Sequence, residues 1–190
     1  MTAKIYNPLE KMTITSAFGP RKSFATSQGT ANPNHSGVDL RAVTGTKVYA
    51  PIGGTVTKVV NGTTGFGKYV DVKTADGYTM RFAHLSAPKV SVGQTVQAGQ
   101  VLALSGATGN VTGAHLHFGV YNEQMAAIDP LAWLDQLRQS SSAGGSLLDM
   151  IKLPTATAGG YTVSVPAGSG ASVAAVLIIG AGLMLLAGGE

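Results

Sequence analysis

Cysteine is absent from this 190-residue chain, which excludes disulfides and thiolate metal sites at once. Any transition metal must then be held by His, Asp and Glu. Charge is also scarce: 12% of residues are Asp, Glu, Lys or Arg, against a hydrophobic fraction of 44% that suffices for a packed core. Lys and Arg number 13 against nine acids, a formal net charge of +4. That mild excess favours anionic surfaces such as cell-wall polymer or phospholipid. No run of Arg and Lys interleaved with aromatics occurs, so nucleic acid is not an expected partner. The stretch MTAKIYNPLEKMTITSAFG has no apolar segment behind Lys4, and does not read as a secretory signal peptide.

Glycine, by contrast, is abundant at 26 residues, which points to tight turns rather than long helices. Composition divides the chain into three. Residues 1–137 hold nearly all the charge, the aromatics and the histidines, and read as one domain. Residues 138–170, rich in Ser, Gly, Ala and Thr, read as a flexible linker with a short apolar patch at 147–153. Residues 171–188 read as a transmembrane helix: the uncharged run ASVAAVLIIGAGLMLLA would span roughly 25 Å as a helix, near the short limit for a bilayer core.

The first region is mostly β in pattern. Residues 47–60 alternate around Gly53-Gly54 and predict two strands about a bend. Residues 68–73 and 78–83 flank Ala75-Asp76-Gly77, a hairpin signal. Residues 96–105 predict a bent strand or strand pair, and 115–121 (HLHFGVY) alternate cleanly. One helix is predicted at 130–137, with Asp129 as N-cap and Pro130 in its first position. Short strands separated by glycine turns predict an antiparallel sheet folded into a sandwich or open barrel.

The chemistry-bearing residues fall in three short segments. His115 and His117 are two apart, so a strand projects both imidazoles to one side. His35 and Asp39 are four apart, again an even spacing, with Gly37 between them allowing close backbone approach or a bend. His84 ends the strand that begins near Tyr78, where its side chain can lean over the sheet edge. The chain has only four histidines, and none is spent elsewhere. Zinc suits such a set: catalytic sites use three protein ligands and keep a fourth position for water. Four histidines plus Asp39 exceed that need by two, which leaves groups to handle protons and the oxyanion.

These segments resemble the LytM/lysostaphin-type zinc endopeptidases, the M23 metallopeptidases. That family carries an HxxxD motif, a later [YF]xHL-like strand end and an HxH motif. Here they read Asn34-His35-Ser36-Gly37-Val38-Asp39, Phe82-Ala83-His84-Leu85 and Gly113-Ala114-His115-Leu116-His117-Phe118. Ala17-Phe18-Gly19-Pro20-Arg21, Val48-Tyr49-Ala50-Pro51, Val92-Gly93-Gln94-Thr95-Val96 and Gly106-Ala107-Thr108-Gly109 follow the family's order as well. The resemblance implies one Zn2+ per chain held by His35, Asp39 and His117. It implies that His84 and His115 are the non-ligand pair that activates water or stabilises the tetrahedral intermediate. It also implies an antiparallel fold with a groove, and peptidoglycan as substrate, cut at a cross-bridge or stem-peptide bond. No member of the core set is substituted, so an active enzyme is expected. The alternative is a non-catalytic wall-binding or virion assembly module that keeps the zinc as structure.

Two local likenesses carry no function. Residues 92–104 resemble the sheet segments of biotinyl and lipoyl carriers, but neither Lys73 nor Lys89 has the hairpin-tip setting of a carrier lysine. Residues 62–68 (GTTGFGK) lack the phosphate-loop spacing. A C-terminal membrane helix without a signal peptide suits attachment to a virion membrane or the host envelope. The expected partners are therefore peptidoglycan, lipid and virion structural proteins, with a bacteriophage entry or lysis enzyme as the setting.

Overall fold

The computed structural model describes residues 4–142, together with the backbone of 155–158, 161–164, 176–179 and 182–185. The chain begins with β1 (Ile14–Ser16), β2 (Gly19–Pro20), β3 (Ala25–Thr26), β4 (Gly29–Thr30), β5 (Asn34–His35) and β6 (Val38–Arg41). There follow β7 (Lys47–Tyr49), β8 (Gly54–Asn61), β9 (Lys68–Lys73), β10 (Thr79–Ala83) and β11 (Leu85–Pro88). Then come β12 (Thr95–Val96), β13 (Val101–Ser105), β14 (His115–Tyr121), β15 (Ala127–Ile128) and α1 (Pro130–Ser142).

The main sheet runs β1-β6-β14-β10-β9-β8-β12, with β15 on the end of β14, and every pairing is antiparallel. A second sheet, β11-β13-β7, is also antiparallel. Period-2 alternation separates the two faces of the main sheet. Val38, Leu40, Val70, Val72, Met80, Phe82, Leu116, Phe118 and Val120 enter one core with Val48 and Leu102 of the second sheet. Asp39, Asp71, Arg81, His115 and His117 hold the alternate positions and so occupy the opposite face.

The hairpin predicted between residues 68 and 83 forms as β9 and β10, pairing Lys73 with Thr79 and Val70 with Phe82. Its turn depends on Gly77, whose φ of +89° is unfavourable for residues with a Cβ. The helix starts as expected: Asp129 Oδ1 accepts from the Leu131 amide at 2.9 Å. Trp133, Leu134 and Leu137 then pack into the core. It continues five residues beyond the predicted end, into what read as linker. Arg138 carries it onward by binding both Asp135, at 2.8 Å, and Asn7, at 2.6 Å.

The expected membrane helix at 171–188 lies partly outside the described residues. Those of it that are described form β18 (Val176–Ile179) and β19 (Gly182–Leu185), an antiparallel pair. Val176, Ile178 and Ile179 are β-branched and favour extended backbone. Within the expected linker, β16 (Thr155–Ala158) and β17 (Tyr161–Ser164) pair likewise, and the patch at 147–153 lies outside the described residues. Among the described residues no helix is long and apolar enough to cross a membrane.

Candidate metal centre

Strand register brings the first two functional side chains together. β6 pairs β14 so that Asp39 lies directly opposite His117, and Arg41 opposite His115. Opposed Cβ atoms in such a pair are about 4.5–5.5 Å apart, within reach of one shared ion. His35 arrives differently. It sits on β5, which pairs with β2 in a separate two-stranded sheet, and Ser36-Gly37 turn the chain from β5 into β6. The bend, rather than one extended strand, places His35 beside Asp39.

His35 Nε2, His117 Nδ1 and Asp39 Oδ1 form a nearly equilateral triangle with edges of 3.0, 3.0 and 3.1 Å. Ligands of a tetrahedral zinc with bonds of 2.0–2.1 Å stand about 3.3 Å apart, so the triangle fits one face of that tetrahedron. The chemistry of the three donors agrees. His35 Nδ1 lies 2.7 Å from the Ala17 carbonyl, which only accepts, so Nδ1 carries a proton and Nε2 is the atom turned to the triangle. Asp39 Oδ2 accepts from Arg21 Nη1 at 3.2 Å, leaving Oδ1 to the triangle. Burial opposes ionisation of Asp39, but hydrogen bonding and charge from His117 and His35 outweigh it and hold the carboxyl well below the usual range. These residues fit a divalent cation.

The His117 ring is fixed by packing. Its Nε2 is buried and, among the described residues, has no hydrogen-bond partner. Phe66 lies 5.2 Å from the ring on one side. Gly37 lies on another: a Cβ there would stand 2.8 Å from His117 Nε2 and 2.5 Å from the Phe118 carbonyl. Phe66 is itself held by the Arg81 guanidinium, 4.8 Å from its ring, and Arg81 is anchored by two 2.8 Å bonds to Asp71. Gly37→Ala therefore displaces His117. The expected result is a loss of zinc affinity of roughly 10- to 100-fold, the usual cost of disturbing a ligand's support. Competition against a chromogenic chelator measures it, and wild-type affinity would refute the close-packing argument.

His84 and His115 stand beside the triangle, their rings 4.7 Å apart. His84 lies where the chain leaves the main sheet for the second, between β10 and β11, with a φ of +60° that is uncommon for a residue with a Cβ. Its Nδ1 donates to the Thr108 carbonyl at 2.8 Å, as His115 Nδ1 does to the Gly113 carbonyl, also at 2.8 Å. Both rings thus present a bare Nε2, and that of His115 is 3.6 Å from Asp39 Oδ1.

Burial, then the neighbouring His115 and His117, push the His84 imidazole from 6.5 down to about 4. An unfolded chain protonates this ring near 6.5, whereas the folded one resists until about 4. Stability of the metal-free protein therefore falls as pH drops through that window, by roughly 3 kcal/mol from His84 alone. Burial lowers His117 in the same direction. Urea unfolding of metal-free protein at stepped pH tests this, and His84→Asn should flatten the profile.

All five residues singled out in the sequence meet in this one cleft. What the sequence did not assign were their supports: Arg21, Phe66, and the carbonyls of Ala17, Thr108 and Gly113. Arg21 and Thr108 stood inside quoted motif segments, yet only three-dimensional contacts give them work.

The sequence profile described as "Peptidase family M23" matches residues 33–130. An uncharacterized metalloprotease of Haemophilus influenzae is 39% identical over 65% of this chain and 26% of its own length. The peptidoglycan DD-endopeptidase ShyA of Vibrio cholerae is 39% identical over 57% of this chain and 24% of its own. The chain thus spans about a quarter of the length of these relatives. Among solved structures, the catalytic domain of lysostaphin from Staphylococcus simulans superposes with a TM-score of 0.58 at 30% identity, covering 65% of this chain and 92% of that one. The catalytic domain of a prophage-encoded M23 protein, EnpA from Enterococcus faecalis, gives 0.57 at 27% identity, over 68% and 95%. With the family's His/Asp/His cluster in place on a mainly antiparallel β fold, this chain belongs to peptidase family M23, the zinc-dependent LytM/lysostaphin-type peptidases.

Proposed function

We propose that the chain is a zinc endopeptidase that hydrolyses a peptide bond of bacterial peptidoglycan, with His35, Asp39 and His117 as ligands and His84 and His115 as catalytic residues. The observation that carries this reading is the pairing of a three-donor triangle with two further histidines whose free Nε2 atoms face the same cleft. Zinc held there supplies a Lewis acid for the scissile carbonyl and acidifies water. His115 Nε2 accepts the proton of the attacking water. Once protonated, that ring is a donor, so the His84–His115 pair can return the proton to the leaving amine. Arg21 keeps Asp39 oriented through its contact with Oδ2.

Zinc-loaded protein incubated with purified peptidoglycan should release new amino and carboxyl termini. Release should stop with a chelator and resume with added zinc. Mass spectrometry of the fragments identifies the bond. Stoichiometric zinc with uncut peptidoglycan would instead establish a binding or assembly module.

The uncharged run at 171–187 supports a separate proposal, that this segment attaches the domain to lipid in a virion or host envelope. Flotation of the full chain with liposomes tests attachment. Its presence in purified particles tests the virion setting.

A further inference from the structure

The segment between Arg21 and His35 bridges the cleft. At its base, Arg21 binds Asp39 at 3.2 Å and Ser16 at 2.8 Å, on the metal side. The segment then rises as the β3–β4 hairpin, and the tip of that hairpin is bonded to the far wall. Ser27 donates its amide to the Val111 carbonyl at 2.9 Å, while its hydroxyl donates to the Gly109 carbonyl and accepts from the Val111 amide, each at 3.2 Å. The Gln28 amide donates to Asn110 Oδ1 at 3.2 Å. The Gln28 side chain donates to the Thr63 carbonyl at 2.6 Å and accepts from the Gly65 amide at 3.3 Å. Thr26 hydrogen-bonds Asn110 as well.

The far wall is itself rigid. Asn110 donates its amide to the Gly65 carbonyl at 2.7 Å, and a Cβ at Gly109 would lie 2.4 Å from both the Gly65 carbonyl and the Gly67 amide. That wall leads back to the chemistry, because Gly113 holds His115, which stands 3.6 Å from Asp39. The contacts therefore close a circuit: Asp39, Arg21, the hairpin, the 109–111 loop, His115, and Asp39 again. Inside it the cleft is lined by Phe24 and Asn32 of the hairpin, Phe66 and Thr112 of the wall, and the metal ligands.

A peptide with a free end can thread a closed circuit, but one tethered at both ends cannot. The hairpin tip is where such a circuit opens. Ser27, Gln28, Gly29 and Thr30 are exposed, and the β3–β4 ladder is two residues long on each strand. We propose that the 21–34 hairpin is a latched strap that determines substrate form. Latched, it admits short peptides with free ends, and it must release the 109–111 loop before a peptide tethered to glycan at both ends can enter. This rests on the peptidase reading above.

The chain has no native thiol, so a Ser27→Cys/Val111→Cys pair can lock the strap without competing disulfides. In the full-length, zinc-loaded protein, the oxidised lock should cut intact cross-linked sacculi at least about tenfold more slowly than the same variant after reduction. Cutting of a short free peptide should change less than about threefold. Conversely, Ser27→Ala/Gln28→Ala, which removes the side-chain half of the latch, should speed sacculus cutting several-fold. Zinc content and melting temperature of the reduced variant, matched to wild type, show that it folds. Equal sacculus cutting by oxidised and reduced forms overturns the proposal, as does an equal loss on both substrates. If wild type cuts neither substrate, the peptidase reading fails, and amide exchange then decides the strap. Exchange of Ser27 and Val111 amides faster than those of β10 and β14 supports an opening latch, and exchange as slow as those strands overturns it.

Discussion

His117→Ala should leave the protein folded and nearly without zinc, weakening affinity by at least about 100-fold and taking peptidoglycan cutting to background. His117 is the proposed ligand that the rest of the cluster is built around. Its strand partner is Asp39, its Nδ1 is 3.0 Å from both other donors, and Phe66 and Gly37 fix its ring. Removing the ring deletes one of three donors and leaves the other two lone pairs 3.1 Å apart with nothing to draw them together. Support residues of metal ligands typically cost 10- to 100-fold in affinity, so a lost ligand must exceed that range. Zinc content after dialysis and competition titration give the number. Full zinc retention by His117→Ala, with loss in His115→Ala, would show the ligand assignment reversed.

That two of the histidines would face one space was legible in the sequence for a physical reason, whereas the ligand set came only from the family resemblance. A strand repeats every two residues, so His115 and His117 were bound to share a face whatever the rest of the fold did. The cross-strand match of His117 with Asp39 was not legible, because register between β6 and β14 is set by partners 78 residues apart. The same holds for the strap. Thr26, Ser27 and Gln28 carry no local signal of bonding to a loop more than 80 residues on, and short polar residues of this kind read as an ordinary turn.

His84 was legible as the end of a strand, but not as the point where the chain changes sheets with a φ of +60°. The tail was read from hydropathy, which weighs apolar content without distinguishing helix from strand. Its eight described residues are extended. Arg81 shows the converse limit. A charged residue in the middle of a strand reads as solvent-facing, yet it is 9% exposed, paired with Asp71 and stacked on Phe66, Tyr69 and Tyr121.

His115→Ala should separate catalysis from metal binding. Its Nδ1 is committed to the Gly113 carbonyl, and its Nε2 lies beyond the triangle. On the proposed assignment, truncation removes a proton acceptor and no ligand. Positioned acid–base groups typically contribute 10²- to 10⁴-fold, so kcat should fall by about that much while zinc affinity stays within a few-fold. His84 is the second member of the proposed proton-handling pair, its ring 4.7 Å away. Its own test is best made as His84→Asn, because Asn tolerates the left-handed backbone that His84 occupies, whereas Ala would add strain. Groups that act as one unit are not additive. The double variant should consequently lose little more than the worse single one. If the two losses multiplied, the rings would be working independently, one on the attacking water and the other on the oxyanion.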